Sequence, residues 1–171
     1  MLGQKVVDEL AKQNQVKWTA AKARADVAAY KMGVGLDSPG IVLAKSHSYM
    51  NESGGPIKAL ANFYKVDLDQ IIVIHDELDI PFAAIRTKLG GGDNGHNGLK
   101  SLTSAFNNPN YFRVRMGIGR PIGEQDPSDF VLKNFASAEK KELSDLISRG
   151  AEVVESIIQN GLEITQAKFN N

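Results

Sequence analysis

Ile71-Ile72-Val73-Ile74-His75-Asp76-Glu77-Leu78-Asp79 decides the fold. Four consecutive branched apolar residues predict a strand, and a strand apolar throughout is expected to be buried on both faces. It runs into three carboxylates. In open α/β sheets ligands bind outside the carboxyl ends of such strands, so Asp76, Glu77 and Asp79 become candidate site residues. Three acids at a strand mouth can bind a metal, orient a base, or only shape a turn. No close His/Asp ligand spacing accompanies them, which argues against a metal.

On the amino-terminal side, residues 3–12 place Val6, Val7, Leu10 and Ala11 on one helical face. Residues 24–34 and 41–44 read as strands. Asp37-Ser38-Pro39-Gly40 is a turn signal between them, so the pair is predicted to form an antiparallel hairpin. Ser48-Tyr49-Met50-Asn51-Glu52-Ser53-Gly54-Gly55-Pro56 then ends a strand and opens a helix. Ser53 is its candidate cap, Pro56 suits the first turn, and Ile57, Leu60, Phe63 and Tyr64 form the expected buried stripe. Asn51 reads as a turn residue or as an amide pointing into a cleft.

On the carboxyl-terminal side, residues 84–89 read as a strand. They lead into Gly90-Gly91-Gly92-Asp93-Asn94-Gly95-His96-Asn97-Gly98 and a helix over about 99–106. This glycine-rich stretch lacks the Gly-Lys-Ser/Thr of a P-loop. It also lacks the acidic partner of a dinucleotide fingerprint, which argues against nucleotide hydrolysis. His96-Asn97 stand where a helix begins, and N–H groups and the helix dipole favour an anion or a polarised carbonyl there. Residues 107–110 form a turn. Residues 112–118 alternate as a strand that carries Arg113 and Arg115 on one face. Ser137 and Glu139 are expected to open a long amphipathic helix, with Gly150 as a candidate break.

Composition narrows the class. With 171 residues and 42% hydrophobic residues, the expectation is one globular domain with a real core. Lys+Arg and Asp+Glu are both 20, so no whole-protein basic field attracts nucleic acid and any RNA site must be local. There are no cysteines, which excludes disulfides and thiolate chemistry. No apolar run approaches membrane-spanning length. The expectation is a soluble cytoplasmic protein with no membrane partner, no metal and no cofactor.

The runs Tyr49-Met50-Asn51-Glu52-Ser53-Gly54, His75-Asp76-Glu77-Leu78-Asp79, Lys88-Leu89-Gly90-Gly91-Gly92, Gly95-His96-Asn97-Gly98-Leu99-Lys100 and Arg113-Val114-Arg115-Met116-Gly117-Ile118-Gly119 resemble the bacterial peptidyl-tRNA hydrolases in order and spacing. Asp129-Phe130-Val131-Leu132 and the following helix resemble that family's lid. The resemblance covers nearly the whole chain and is most specific around Gly90 to Lys100. It implies an α/β fold: a single domain over residues 1–171 with a twisted mixed sheet flanked by helices, monomeric, acting on peptidyl-tRNA.

The site residues carry over by position. Asp76 matches the carboxylate that orients and polarises a catalytic histidine. Asn51 and Asn97 match amides that bind the peptidyl-tRNA end and position substrate and water. Tyr49 matches an aromatic that contacts the tRNA terminus, and Met50 and His96 match cleft-lining residues. Lys88, Lys100 and Arg115 match basic positions on the tRNA phosphate path, where contacts give affinity without base identity.

At its beginning the sequence departs from the family pattern. The family has a strand, Gly-Leu-Gly-Asn-Pro-Gly, and an Arg-His-Asn-x-Gly run that opens its first helix. Leu2-Gly3 matches the end of that run, which places the family's histidine immediately before Met1. The expectation is a hydrolase whose first strand and general base are not among these residues. The alternatives are a non-catalytic RNA-binding module of the same fold, and an unrelated hydrolase or nucleotide-binding α/β protein. The histidines present are His47, His75 and His96; His75 should point to the face opposite Asp76, and His96 matches another family position.

Overall fold

A computed structural model describes residues 2–47, 52–119 and 140–170. They fall into two compact units. One holds residues 1–9, 72–89 and 112–171; the other holds residues 10–71 and 90–111. The architecture is α/β, with helices flanking mixed and antiparallel strands. Among the described residues the strands form two three-stranded sheets, one per unit, where the sequence led us to expect a single mixed sheet.

The first unit contains β4 (Ile72–Glu77), β5 (Ile85–Leu89) and β6 (Phe112–Gly117) in the order β4-β6-β5. β6 lies parallel to β4 and antiparallel to β5. Side chains alternate across a strand, so the sheet has two different faces. Ile74, Val114 and Thr87 share one face in register, as do Asp76, Met116 and Ile85. That face is covered by α1 (Leu2–Gln13) and α4 (Lys140–Asn160). Val6 is fully buried there, and a Cβ on Gly150 would sit 2.8 Å from Val6 and 3.1 Å from Met116. Gly150 is therefore a point of close packing, and α4 runs unbroken through it. The break falls at Gly161, whose φ of 85° starts the turn into α5 (Leu162–Phe169). Ser137 and Glu139 lie outside the described residues.

β4 corrects one expectation. Ile72, Val73 and Ile74 are only half-buried, while His75 and Glu77 are 6% and 7% exposed. β4 has β6 as its single strand neighbour among the described residues. An edge position leaves apolar residues partly open however apolar the run is.

In the second unit, β1 (Thr19–Ala21), β2 (Ala25–Lys31) and β3 (Gly40–Ser46) form an antiparallel meander. The predicted hairpin is its β2–β3 part. Ala25 and Val27 pack against Leu60 of α2 (Gly54–Tyr64), with Ile57 and Tyr64 alongside. Phe63 does not join this stripe. It is 76% exposed and meets Tyr64 edge-on at 5.0 Å. Positions 57, 60, 61 and 64 centre the apolar face, and Phe63 projects about 100° away from its neighbour Tyr64. Ser53 occupies the N-cap position without a side-chain capping bond. The Gly54 N–H is instead accepted by Ser101 Oγ at 2.8 Å. Ser101 belongs to α3 (Asn97–Phe106), which crosses α2 so closely that a Cβ on Gly54 would meet the Ser101 carbonyl.

The start of α1 lies equally close to β4. A Cβ on Gly3 would stand 2.2 Å from the Ile74 carbonyl oxygen. We expect Gly3→Ala to destabilise the protein by about 1–3 kcal/mol, because backbone must move to admit the methyl group. Gly55→Ala, where a Cβ meets nothing within 4 Å, should instead stabilise α2 by up to about 1 kcal/mol. Denaturant unfolding of both variants checks the contrast.

Candidate functional site

Asp76 lies near the carboxyl end of β4, half-buried, on the face that α1 covers. Its Oδ1 accepts the main-chain N–H of Leu2 at 3.0 Å. The first N–H groups of a helix have no intrahelical partner and carry the positive end of the dipole. A carboxylate placed there is stabilised and held in one orientation. His75, the preceding residue, points to the opposite face, and its Nδ1 donates to the Asp76 carbonyl at 2.9 Å. Glu77 also points away from Asp76, so the carboxylates of residues 76 and 77 do not converge. Among the described residues, no three His, Cys, Asp or Glu side chains come together as a metal site.

The other face of this sheet is cationic. Registered pairing sets His75, Arg115 and Arg86 in one row and Val73, Arg113 and Lys88 in the next. Arg113 is fully buried; Arg115, Arg86 and Lys88 are half-buried. Burial lowers the Lys88 pKa below its ordinary value, and Arg115 and Arg113 lower it further against the opposing pull of Glu77. Burial likewise lowers Arg115. Glu77 opposes that shift, while Arg86 and Arg113 add to it. Two neighbouring strands thus hold four cations with one buried carboxylate beside them. Arg113, His75 and Glu77 are closed off from solvent, which leaves Arg115, Arg86 and Lys88 as the partly open cations of this face.

In the second unit, Gly90, Gly91 and Gly95 adopt φ of 70°, 99° and 79°. A side chain on Gly90 would also collide with Asn110. The loop ends at His96, the N-cap of α3, whose Nδ1 accepts the Leu99 N–H at 3.2 Å. An accepting Nδ1 carries no proton, so this ring is the neutral Nε2–H tautomer. Asn97 is exposed at the first position of α3, and Lys100 is exposed one turn on. Both border a shallow depression of about 480 Å³, lined also by Glu52, Gly55, Ser101 and Ser104.

The first unit therefore carries Asp76 on one face of its sheet and Lys88 and Arg115 on the other, so these three do not converge, and the second unit carries His96, Asn97 and Lys100. Tyr49, Met50 and Asn51 lie outside the described residues. Arg86 was missed by the sequence reading. Its signal was present as the period-two pair Arg86 and Lys88, but only the register with β6 sets it opposite Arg115. Leu2 was missed as well, because a main-chain donor has no residue-type signature.

Fold and site define the class: an α/β protein with a carboxylate at a strand end and a cationic sheet face. More particularly, the chain belongs to the peptidyl-tRNA hydrolase family, whose model matches residues 2–171. It is 46% identical over 169 residues to a peptidyl-tRNA hydrolase of Arthrobacter sp. (strain FB24), covering 99% of this chain and 86% of that relative. It is 51% identical over 172 residues to one from Streptomyces avermitilis, covering 99% of this chain and 84% of that protein. The crystal structure of peptidyl-tRNA hydrolase from Acinetobacter baumannii superposes with a TM-score of 0.80 at 27% identity. The superposition covers 97% of this chain and 83% of that one. No helix among the described residues is long and apolar enough to cross a membrane.

The cationic face carries a cost that can be measured. Lys88 has a lowered pKa, so the folded state disfavours its charge. At neutral pH Lys88 is charged whether folded or not, and the burial of that charge, with the repulsion from Arg115 and Arg113, opposes folding. As pH rises through the lowered pKa, the folded protein sheds this proton first and the penalty fades. Lys88→Met should therefore be at least as stable as the parent at neutral pH, with the advantage shrinking toward high alkaline pH. Thermal melts across pH check the expectation.

Proposed function

We propose that this protein hydrolyses the ester joining a peptide to its tRNA, releasing both, and that it does so as a cytoplasmic monomer without metal or cofactor. The reading is carried by the place of Asp76, whose carboxylate faces the start of α1 and accepts the Leu2 N–H. In the family pattern the histidine base stands just ahead of that helix start. A carboxylate there fixes the imidazole tautomer and stabilises the cation that forms when the ring takes a proton from water. Water attacks the ester carbonyl, the carbonyl oxygen becomes an oxyanion, and the tRNA oxygen leaves with a proton. In this reading Asn51 and Asn97 hold the peptidyl-tRNA end and stabilise the oxyanion by N–H donation. Tyr49 supports the tRNA terminus, and Met50 and His96 line the cleft. Lys88, Lys100 and Arg115, with Arg86 beside them, neutralise tRNA phosphates without reading bases.

The base itself is not among His47, His75 and His96 in this proposal. His47 pairs with Asp26 at 2.9 Å, His75 donates to the Asp76 carbonyl, and His96 caps α3. That observation also favours a second reading for residues 1–171 taken alone: a non-catalytic RNA-binding module of the same fold.

Turnover of N-blocked aminoacyl-tRNA separates the readings. Residues 1–171 should be slower than a form extended by the family's Arg-His-Asn-x-Gly start, by about 10²–10⁴-fold. In the extended form, Asp76→Asn keeps an acceptor for Leu2 but removes the charge, and should cost a similar factor, about 10²–10⁴. Equal turnover of the short and extended forms would assign the base to a histidine within residues 1–171. An extended form that binds tRNA but does not turn over would leave the RNA-binding module.

A further inference from the structure

Strand β5 has a strand neighbour on one side only among the described residues. On its other edge the polar groups of Thr87 are taken by two primary amides. Asn170 Oδ1 accepts the Thr87 N–H at 2.9 Å and the Thr87 hydroxyl at 3.2 Å. Asn170 Nδ2 donates back to the Thr87 carbonyl at 3.2 Å, and Gln166 Nε2 donates to the same carbonyl at 3.0 Å. The Asn170 amide thus exchanges one donor and one acceptor with a single residue, as a paired residue does across an antiparallel ladder. Inside the α4–α5 turn, the Ser156 and Thr165 hydroxyls meet at 2.7 Å, and Thr165 donates to the Gly161 carbonyl at 2.8 Å. Thr165 is fully buried and Thr87 is 1% exposed.

Thr87 lies between Arg86 and Lys88. Each of these faces another cation across the ladder: Arg86 faces Arg115, and Lys88 faces Arg113. Like charges directly opposite destabilise strand pairing. The repulsion acts to part β5 from β6, and β5 has five residues and one ladder to resist it. The amides grip the middle residue of the strand, between the two repelling pairs.

We propose that Asn170 and Gln166 are positioning residues for the tRNA phosphates. Through Thr87 they hold Arg86 and Lys88 against Arg115 and Arg113 before any anion is present. A preassembled cationic face binds without first having to order itself, and phosphate then relieves the repulsion that the clamp withstands. This inference rests on the peptidyl-tRNA reading above. The competing account is a simple edge cap that hides main-chain groups from other strands.

The test uses the 171-residue chain, with the double variant Gln166→Ala/Asn170→Ala, the milder Gln166→Ala, and Ser156→Ala as control. Ser156→Ala loosens the α4–α5 turn without touching Thr87. Dissociation constants for deacylated tRNA are measured over a range of salt, below the melting temperature of the least stable variant. The double variant should bind about tenfold more weakly at moderate salt, with a salt slope flatter by about one to two units. Gln166→Ala should fall between it and the parent. Ser156→Ala should lose stability but keep the parent's affinity and slope. A double variant with the parent's affinity and slope would overturn the inference, as would a Ser156→Ala control that weakens binding as much as the double variant does. If the double variant does not fold, the parent's slope in Gln166→Ala overturns it equally. A parent that fails to bind tRNA would bring down the peptidyl-tRNA reading, and this inference with it.

Discussion

The approach of α1 to β4 is the constraint on which the first unit depends. Gly3 lies so close to the Ile74 carbonyl that no side chain fits between helix and strand. That contact brings the unsatisfied N–H groups of the helix start within reach of Asp76. Two separate needs are met at once. The helix gains an acceptor for a donor it cannot satisfy internally, and the carboxylate gains a fixed direction and a positive neighbour. A helix start further away would lose this bond. The packing contact and the orientation of the carboxylate are therefore one constraint.

Strand alternation then separates two incompatible environments on one small sheet. Asp76, Ile74, Val114 and Met116 share the face beneath α1 and α4, where apolar burial supplies stability. His75, Arg115, Arg86, Arg113 and Lys88 share the other, where four cations oppose it. Burial lowers the pKa of Lys88 and Arg115, and Glu77 offsets part of this shift at both.

Much of this was legible in the sequence, where local pattern and tertiary environment agree. The β2–β3 hairpin followed from two apolar runs around Asp37-Ser38-Pro39-Gly40. The strand carrying Arg113 and Arg115 followed from period-two alternation. The strand ending in Asp76 followed from Ile71 to Ile74. What could not be read depends on partners distant in the chain. Apolar content cannot say whether a strand has one neighbour or two, so Ile72 to Ile74 looked more buried than they are. A glycine inside a helical pattern signals either a break or a close contact, and only Val6 and Met116 show that Gly150 is the latter. Ser53 stands where a cap belongs, yet Ser101 from another helix supplies the bond. Phe63 is apolar and near the stripe in sequence, but helical geometry turns it outward. Of the candidate site, Asp76, Lys88 and Arg115 are named by resemblance alone and their roles are proposals, whereas Arg86 needs the β5–β6 register and Leu2 acts through its main chain.

The same alternation bears on which histidine can serve Asp76. A sequence neighbour is the obvious partner for a carboxylate, and His75 is directly adjacent. On a strand, adjacency places two side chains on opposite faces of the sheet, and here the His75 ring turns back to the Asp76 carbonyl while the carboxylate meets α1. Bringing the ring to the carboxylate would require a bulge or a one-residue slip. Such a slip would carry Glu77 and Ile74 to the wrong faces as well. Ladder pairing to β6 runs in unbroken register from Ile72 to Glu77, and no slip is present. Any group that meets the Asp76 carboxylate must therefore approach from the α1 side of the sheet, as the Leu2 N–H does.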